Sequence, residues 1–507
     1  MSRRGALGRA TLTYATAEIG ARGAWFALVL ALGCLLPQRE FGAWSLLMAF
    51  AGLLEIGLTL GLHGPAVRWL YDRDEASYQR VLFTLLLVWL GASAVLALTL
   101  DRVGLAAFHH LVDALPWLPY GRLSLGVAWL GAAGALPLAM LAANQRAGAY
   151  AGLRVATVLS PVAGVLGALA LGRADTAGVL TGQLLGAAPL ALVALGVGFA
   201  ASRPKPALAE LRPMLAFGLP VLPHMMAWWV LSWSDRWLIE RLMDLDNVAI
   251  YHMAYLPALG VLLLGGALNR AWYPLLYRQL DALDRAETGP GEAAYTTAES
   301  LQPRPATEAG QMAWDGLTTQ AAAFLAALAT LGAGVALWGG ELLRMLPADG
   351  YQDSPGLVAF TVTGTTAGLL YLLPHNLLYH HRRTGRIPLL TVTAAVVNIA
   401  LNLVLIPHLG PLGAAVATVL AYALLAVLFY GAAQRVSRTV VGPRGVLRAT
   451  APGLAALVLA MLLGALDPAG WVRVTAELAA SGALAWTLYR TGAVALTLRL
   501  FRSRARS

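Results

Sequence analysis

Phe217 to Ile239, FGLPVLPHMMAWWVLSWSDRWLI, is an apolar run broken early by Pro220 and Pro223, carrying His224, and closing on Asp235 and Arg236. It lies almost halfway along 507 residues and opens a second copy of the pattern that precedes it. Its length suits the roughly 20 apolar residues that a helix needs to cross a bilayer. It therefore reads as the first helix of a second membrane lobe, the seventh span overall.

Composition agrees with that class. Hydrophobic residues make up 58% of the chain, 12% are charged, and mean hydropathy is +0.66. A soluble domain carries about 25% charge. Alanine, leucine and glycine dominate, which favours closely packed helices over a barrel, whose strands would alternate apolar and polar positions. The expected fold class is all-α, a polytopic membrane helix bundle. A net charge of +10 would suit a nucleic-acid partner, but the basic residues are scattered between apolar runs, so they act as topology determinants and no nucleic acid is expected. The single Cys34 excludes an internal disulfide and a cysteine metal cluster. The basic N-terminus runs into an apolar segment that holds Glu18 and Arg22 and lacks a clean cleavage site, so it is read as a first span.

Fourteen runs are long enough to span: 13–36, 41–63, 80–100, 122–143, 152–172, 177–200, 213–235, 248–272, 314–338, 356–379, 387–407, 412–432, 448–466 and 474–498. With the N-terminus inside, 25 of the 36 basic residues fall in inner segments, eight in outer ones and three within spans. That bias predicts an N-in, C-in topology. The one long hydrophilic stretch, 281–310, has no periodicity and is expected to be a disordered inner loop. The longest outer loop, 101–122, contains His109 and His110, which read as part of a short interfacial helix, since no further ligands cluster nearby.

The chain also repeats itself. Gly42 to Tyr71 aligns with Ala249 to Tyr277, and Arg154 to Phe199 with Arg386 to Tyr430. The expected organisation is an N-terminal lobe over 1–212, a C-terminal lobe over 213–433, and a final helix pair with a basic tail over 434–507. Repeated halves around a central cavity are a common route to alternating access.

Three stretches carry a family resemblance: TLTYATAEIGARGAWFALVLALGCLLPQREFGAWSLL (11–47), DRWLIERLMDLDNVAIYHMAY (235–255) and VVNIALNLVLIPHLGPLGAAVAT (396–418). With its Asn398, Asn402, Pro407, Gly410 and Gly413 pattern, the sequence resembles the polysaccharide and oligosaccharide-lipid flippases of the multidrug/oligosaccharidyl-lipid/polysaccharide exporter superfamily. The resemblance spans the first twelve helices; the acidic 281–310 insertion departs from it, and the final pair is similar to that of lipid II flippases and some exopolysaccharide transporters. It implies a bacterial inner-membrane protein that turns undecaprenyl-pyrophosphate-linked glycans to the outer leaflet. The implied partners are that glycan-lipid, membrane lipid, a polysaccharide polymerase and a chain-length regulator. Lipid II flippases place cavity arginines on the first and eighth helices, where Arg22 and Arg270 fall.

A pyrophosphate cargo needs cations inside the bilayer, where a charge costs roughly 2.5 to 3.5 kcal/mol on insertion scales. Glu18 and Arg22 are one helical turn apart and form either a self-neutralising pair or a phosphate ligand tuned by a carboxylate. Arg270, beside Asn269, is a second ligand candidate or an interfacial cation. Glu55 suits a coupling site or a packing hydrogen bond, and Arg68 a cavity or simple topology. His224 either lines the cavity or sits buried. Trp228, Trp229 and Trp233 could stack on sugars or pack. Asp235 and Arg236 are expected to pair or cap at the outer boundary, Glu477 and Arg490 to serve orientation or a neighbouring helix, and Asn398 and Asn402 to bond between helices. Pro220 and Pro223 remove backbone donors and mark a hinge.

Catalytic readings find little support. Lys205 is the only lysine, so no GxxxxGK loop exists; HExxH and GxSxG are absent too. No catalytic residue, metal or cofactor is expected. Two alternatives remain: a cation-coupled multidrug antiporter of the same superfamily, relying on Glu18 and Glu55, and a membrane polymerase or glycosyltransferase, for which the outer loops are short.

Overall fold

The computed structural model describes residues 3–288, 308–346, 350–351, 353–381, 383–435 and 442–490. These are helical almost throughout, with no strand among the described residues. In order the helices are α1 (Arg3–Leu35), α2 (Gln38–Leu58), α3 (His63–Asp72), α4 (Glu75–Ala107), α5 (Arg122–Ala133), α6 (Ala135–Ala143), α7 (Ala147–Ala170), α8 (Thr176–Ala200), α9 (Leu211–Gly218) and α10 (Leu222–Leu242). They continue as α11 (Leu245–Thr288), α12 (Glu308–Arg344), α13 (Ser354–Leu370), α14 (Leu372–His380), α15 (Ile387–Leu409), α16 (Pro411–Gln434), α17 (Pro443–Leu466) and α18 (Gly470–Arg490). Thirteen stretches among the described residues are long and apolar enough to cross a membrane, matching the first thirteen expected runs. The fourteenth, 474–498, runs past residue 490 out of the described residues, and its described part carries Glu477 and begins beside Arg473.

Several spans are segmented where an even apolar run hides a backbone break. The run expected at 41–63 stops as α2 at Leu58, because Leu60 and Gly61 adopt φ of 53° and 66°, a region that L side chains seldom enter. The run 122–143 divides at Gly134 into α5 and α6. The seventh span divides into α9, a 3-10 turn over Leu219–Val221, and α10. Pro220 sits in that turn and Pro223 in the first turn of α10, the two places where a missing N–H leaves the helical ladder least affected.

The hydrophilic stretch 281–310 is shorter than expected as a loop. Helix α11 continues to Thr288 and α12 starts at Glu308, while 289–307 lie outside the described residues. At 1.5 Å per residue the 44 residues of α11 extend about 66 Å, roughly twice the hydrocarbon thickness.

The chain forms two compact units. The first comprises 1–253 with 347–350, the second 254–346 with 351–507. In the first, α7 packs on α1 and α8, and α5 on α2 and α8, with α10 against α2. In the second, α15 packs on α16, α13 on α12 and α16, and α17 on α12 and α13. The α7–α8 contact is set by glycine: a Cβ on Gly164 would overlap the Gly182 carbonyl oxygen, and a Cβ on Gly182 would overlap that of Gly164. Such close backbone approach replaces the hydrophobic driving force that lipid does not supply.

Candidate functional site

The first unit gathers the embedded charges of α1 onto α7. Glu18 faces Tyr150 and Arg154, which are four residues apart and so share one face of α7. Tyr150 donates its hydroxyl to Glu18 Oε1 at 2.7 Å, and Arg154 Nε donates to the same oxygen at 2.9 Å. Arg22 Nε reaches Glu18 Oε2 at 3.4 Å, a longer bond. The stronger partner of Glu18 is therefore Arg154, and Arg22 remains 49% exposed. One carboxylate is shared by two guanidiniums, which leaves the trio with a net positive charge.

Arg154 also lines a cavity of about 340 Å³ inside this unit. Glu55, Gln183, Thr157 and Trp25 share its wall. Glu55 lies on α2 with its carboxylate against Gly131, where an added Cβ would stand 3.1 Å away. It accepts no side-chain hydrogen bond from the described residues, so of its two expected roles the packing bond is not what holds it. Gln183 is 4% exposed and its Oε1 also lacks a partner. An ionisable group and an unsatisfied amide oxygen around one cavity can receive a proton or a small polar species.

The other candidates lie apart from this cavity wall. Arg68 is exposed on α3, and His224 is half-buried on α10 with its Nδ1 lacking a partner. In the second unit, Asn269 accepts a hydrogen bond from Asn376 Nδ2 at 2.8 Å. Arg270 is exposed, makes no ion pair among the described residues, and folds back toward Gly266.

Packing bears on four of these readings. Trp229 is buried against Trp237 and Gly52, Trp233, partly exposed, lies under Arg236 at 4.4 Å, and Trp228 is partly exposed. Asp235 and Arg236 do pair, at 2.7 Å, and both are buried, at 2% and 0% exposure. Asn402 donates to Asn398 at 3.1 Å, so these amides bond along α15 instead of between helices. His109 and His110 lie on a short 3-10 turn with ring centroids 3.8 Å apart and tilted by 45°. The described residues contain no group of three metal-ligating side chains.

Sequence reasoning missed Tyr150, Arg154 and Gln183. Arg154 was counted among the inner topology residues because it stands at the edge of its run; its spacing from Tyr150 was the available signal.

These features define a class: a multi-pass membrane helix bundle with an arginine–glutamate cluster and a cavity lined in part by Glu55, Arg154 and Gln183. Residues 7–279 match the family model described as polysaccharide biosynthesis protein, more than half the chain, and the protein belongs to that family. No curated protein sequence matches it. Among solved structures it is similar to the lipid II flippase MurJ in an inward closed conformation, with a TM-score of 0.68, 11% identity, and 94% of this chain and 99% of that one covered. It is also similar to an inward-facing multidrug resistance MATE family transporter of the MOP superfamily (0.54, 15%, covering 88% and 98%). A MOP superfamily transporter from Pyrococcus furiosus matches at 0.54 and 15%, covering 84% and 95%. At these identities the likeness establishes the fold, which is that of MOP-superfamily flippases and transporters.

Proposed function

We propose that the protein moves undecaprenyl-pyrophosphate-linked oligosaccharides across the bacterial inner membrane, by alternating access of lobes 1–212 and 213–433. The observation that carries this reading is the Glu18–Arg22–Arg154 trio in a member of the polysaccharide biosynthesis family. Arg154 satisfies Glu18, so the exposed Arg22 keeps guanidinium N–H groups for a phosphate oxygen. Arg270 supplies a second cation with no protein partner among the described residues. In an N-in, C-in topology the negatively charged head moves outward with the membrane potential, favoured by about 2.3 kcal/mol per charge per 100 mV. A polymerase and a chain-length regulator are the partners that would consume the product.

Replacing Arg22 or Arg270 by alanine should reduce surface glycan at least about tenfold at unchanged protein level, the loss expected for one charge-assisted hydrogen bond. Wild-type surface glycan in both variants would remove these residues from the cargo site. A second reading, cation-coupled exchange, is favoured by Glu55 in the wall of the cavity. It predicts that Glu55→Gln abolishes pH-gradient-driven transport, whereas a potential-driven flippase would retain its activity.

A further inference from the structure

Helix α1 carries the phosphate candidate and an aromatic side chain on one face. Glu18, Arg22 and Trp25 follow one another at spacings of four and three, so they line up along the helix. Trp25, partly exposed, lines the cavity of about 340 Å³ in the first unit, together with Arg154, whose Nε bonds Glu18 at 2.9 Å. A group bound at Arg22 therefore has this cavity beside it, about one helical turn further along α1.

The cavity is too large for an ion alone. Its volume of about 340 Å³ is roughly ten times the share of one water molecule in the liquid, and it falls at the lower end of the range that small organic ligands occupy. A proton or a bare cation would leave nearly all of it to solvent, whereas one sugar ring with its substituents fills it. The polar part of the wall asks for donors. Gln183 is 4% exposed with Oε1 lacking a partner, and Glu55 accepts no side-chain hydrogen bond from the described residues. Arg154 is paired with Glu18, so the charge left in the wall is the carboxylate of Glu55, which repels the pyrophosphate itself. A neutral ring that presents several hydroxyl or amide donors satisfies these acceptors. The remaining wall is apolar, and the Trp25 indole offers a flat apolar face to the C–H side of such a ring. The aromatic partner thus lies on α1, not among Trp228, Trp229 and Trp233 of α10.

We propose that this cavity is the subsite for the sugar joined directly to the pyrophosphate, with Trp25 against the ring and Glu55 and Gln183 accepting from its donors. The inference rests on the flippase reading above and adds a division of labour: Arg22 takes the phosphate, and the cavity selects what is attached to it. The test measures binding of two kinds of lipid to the full-length protein in detergent: bare undecaprenyl pyrophosphate, and the same lipid carrying one hexose or one N-acetylhexosamine. A sugar-bearing lipid should bind at least about tenfold more tightly than the bare one. Gln183→Leu should lower that preference about tenfold, the loss expected for one hydrogen bond to a buried group. Gly134→Leu should lower it too, by filling the cavity that Gly134 lines; a Cβ there meets nothing closer than 3.7 Å and stands 4.0 Å from Thr157 of the same wall. Arg22→Ala should weaken both kinds of lipid alike. Thermal unfolding identifies which cavity variants are folded, and the wild-type comparison needs neither of them. Equal binding of bare and sugar-bearing lipids, or a preference untouched in the folded cavity variants, would overturn the subsite alone. Binding of neither lipid would overturn the flippase reading and the subsite with it.

Discussion

At the scale of single residues, the decisive contact is between Arg154 and Glu18. Arg22 was legible as a charge one turn from Glu18, but the rank order of Glu18's partners was not, because it depends on how α7 turns against α1. The distances of 2.9 Å and 3.4 Å make Arg154 the closer partner of the carboxylate, and the proposed function assigns the more loosely held Arg22 to cargo. Arg154→Gln should therefore lower both stability and export, while Glu18→Gln added to it should restore the melting temperature without restoring export. Unfolding in detergent and a surface-glycan assay on the same variants check both parts. Recovery of both properties would reduce the trio to a structural ion pair. The asparagines of α15 carry the complementary lesson: their spacing of four was visible, and the same spacing that suits a bond to a neighbouring helix also lets Asn402 bond Asn398.

At the scale of elements, hydropathy located the spans and missed their interruptions. An apolar average is insensitive to φ, so Leu60 and Gly61 vanish inside a run that looks continuous. Prolines are the exception, since their missing N–H is written in the sequence, and the turn at Leu219–Val221 falls where Pro220 stands. Glycine is ambiguous in sequence and clear in structure. Gly182→Val would push a side chain into the α7 backbone and should lower stability by about 1–3 kcal/mol, the usual range for overpacking. Gly167→Ala, with nothing within 4 Å of its Cβ, should be neutral or slightly stabilising. Thermal unfolding of the two variants in one detergent checks the contrast. Equal melting temperatures would mean that the glycine contact does not set the packing of α7 on α8.

At the scale of the whole molecule, the sequence repeat and the packing divide the chain at different places. The lobes expected from the repeat separate at 212/213, whereas compact packing separates at 253/254, inside α11. A repeat records which helices correspond; packing records which helices touch in one conformation, and α10 touches α2. The proposed class of cargo rests on family resemblance, since composition and charge alone fit an antiporter equally well. The most direct measurement of the central claim is transbilayer movement itself, with the purified protein in proteoliposomes loaded with a fluorescent undecaprenyl-pyrophosphate-linked oligosaccharide on one leaflet. The account predicts that the label becomes accessible on the opposite leaflet, faster under a potential that drives anions toward it, and that Arg22→Ala removes the acceleration over protein-free vesicles. Movement no faster than in protein-free vesicles, with or without a potential, would contradict it.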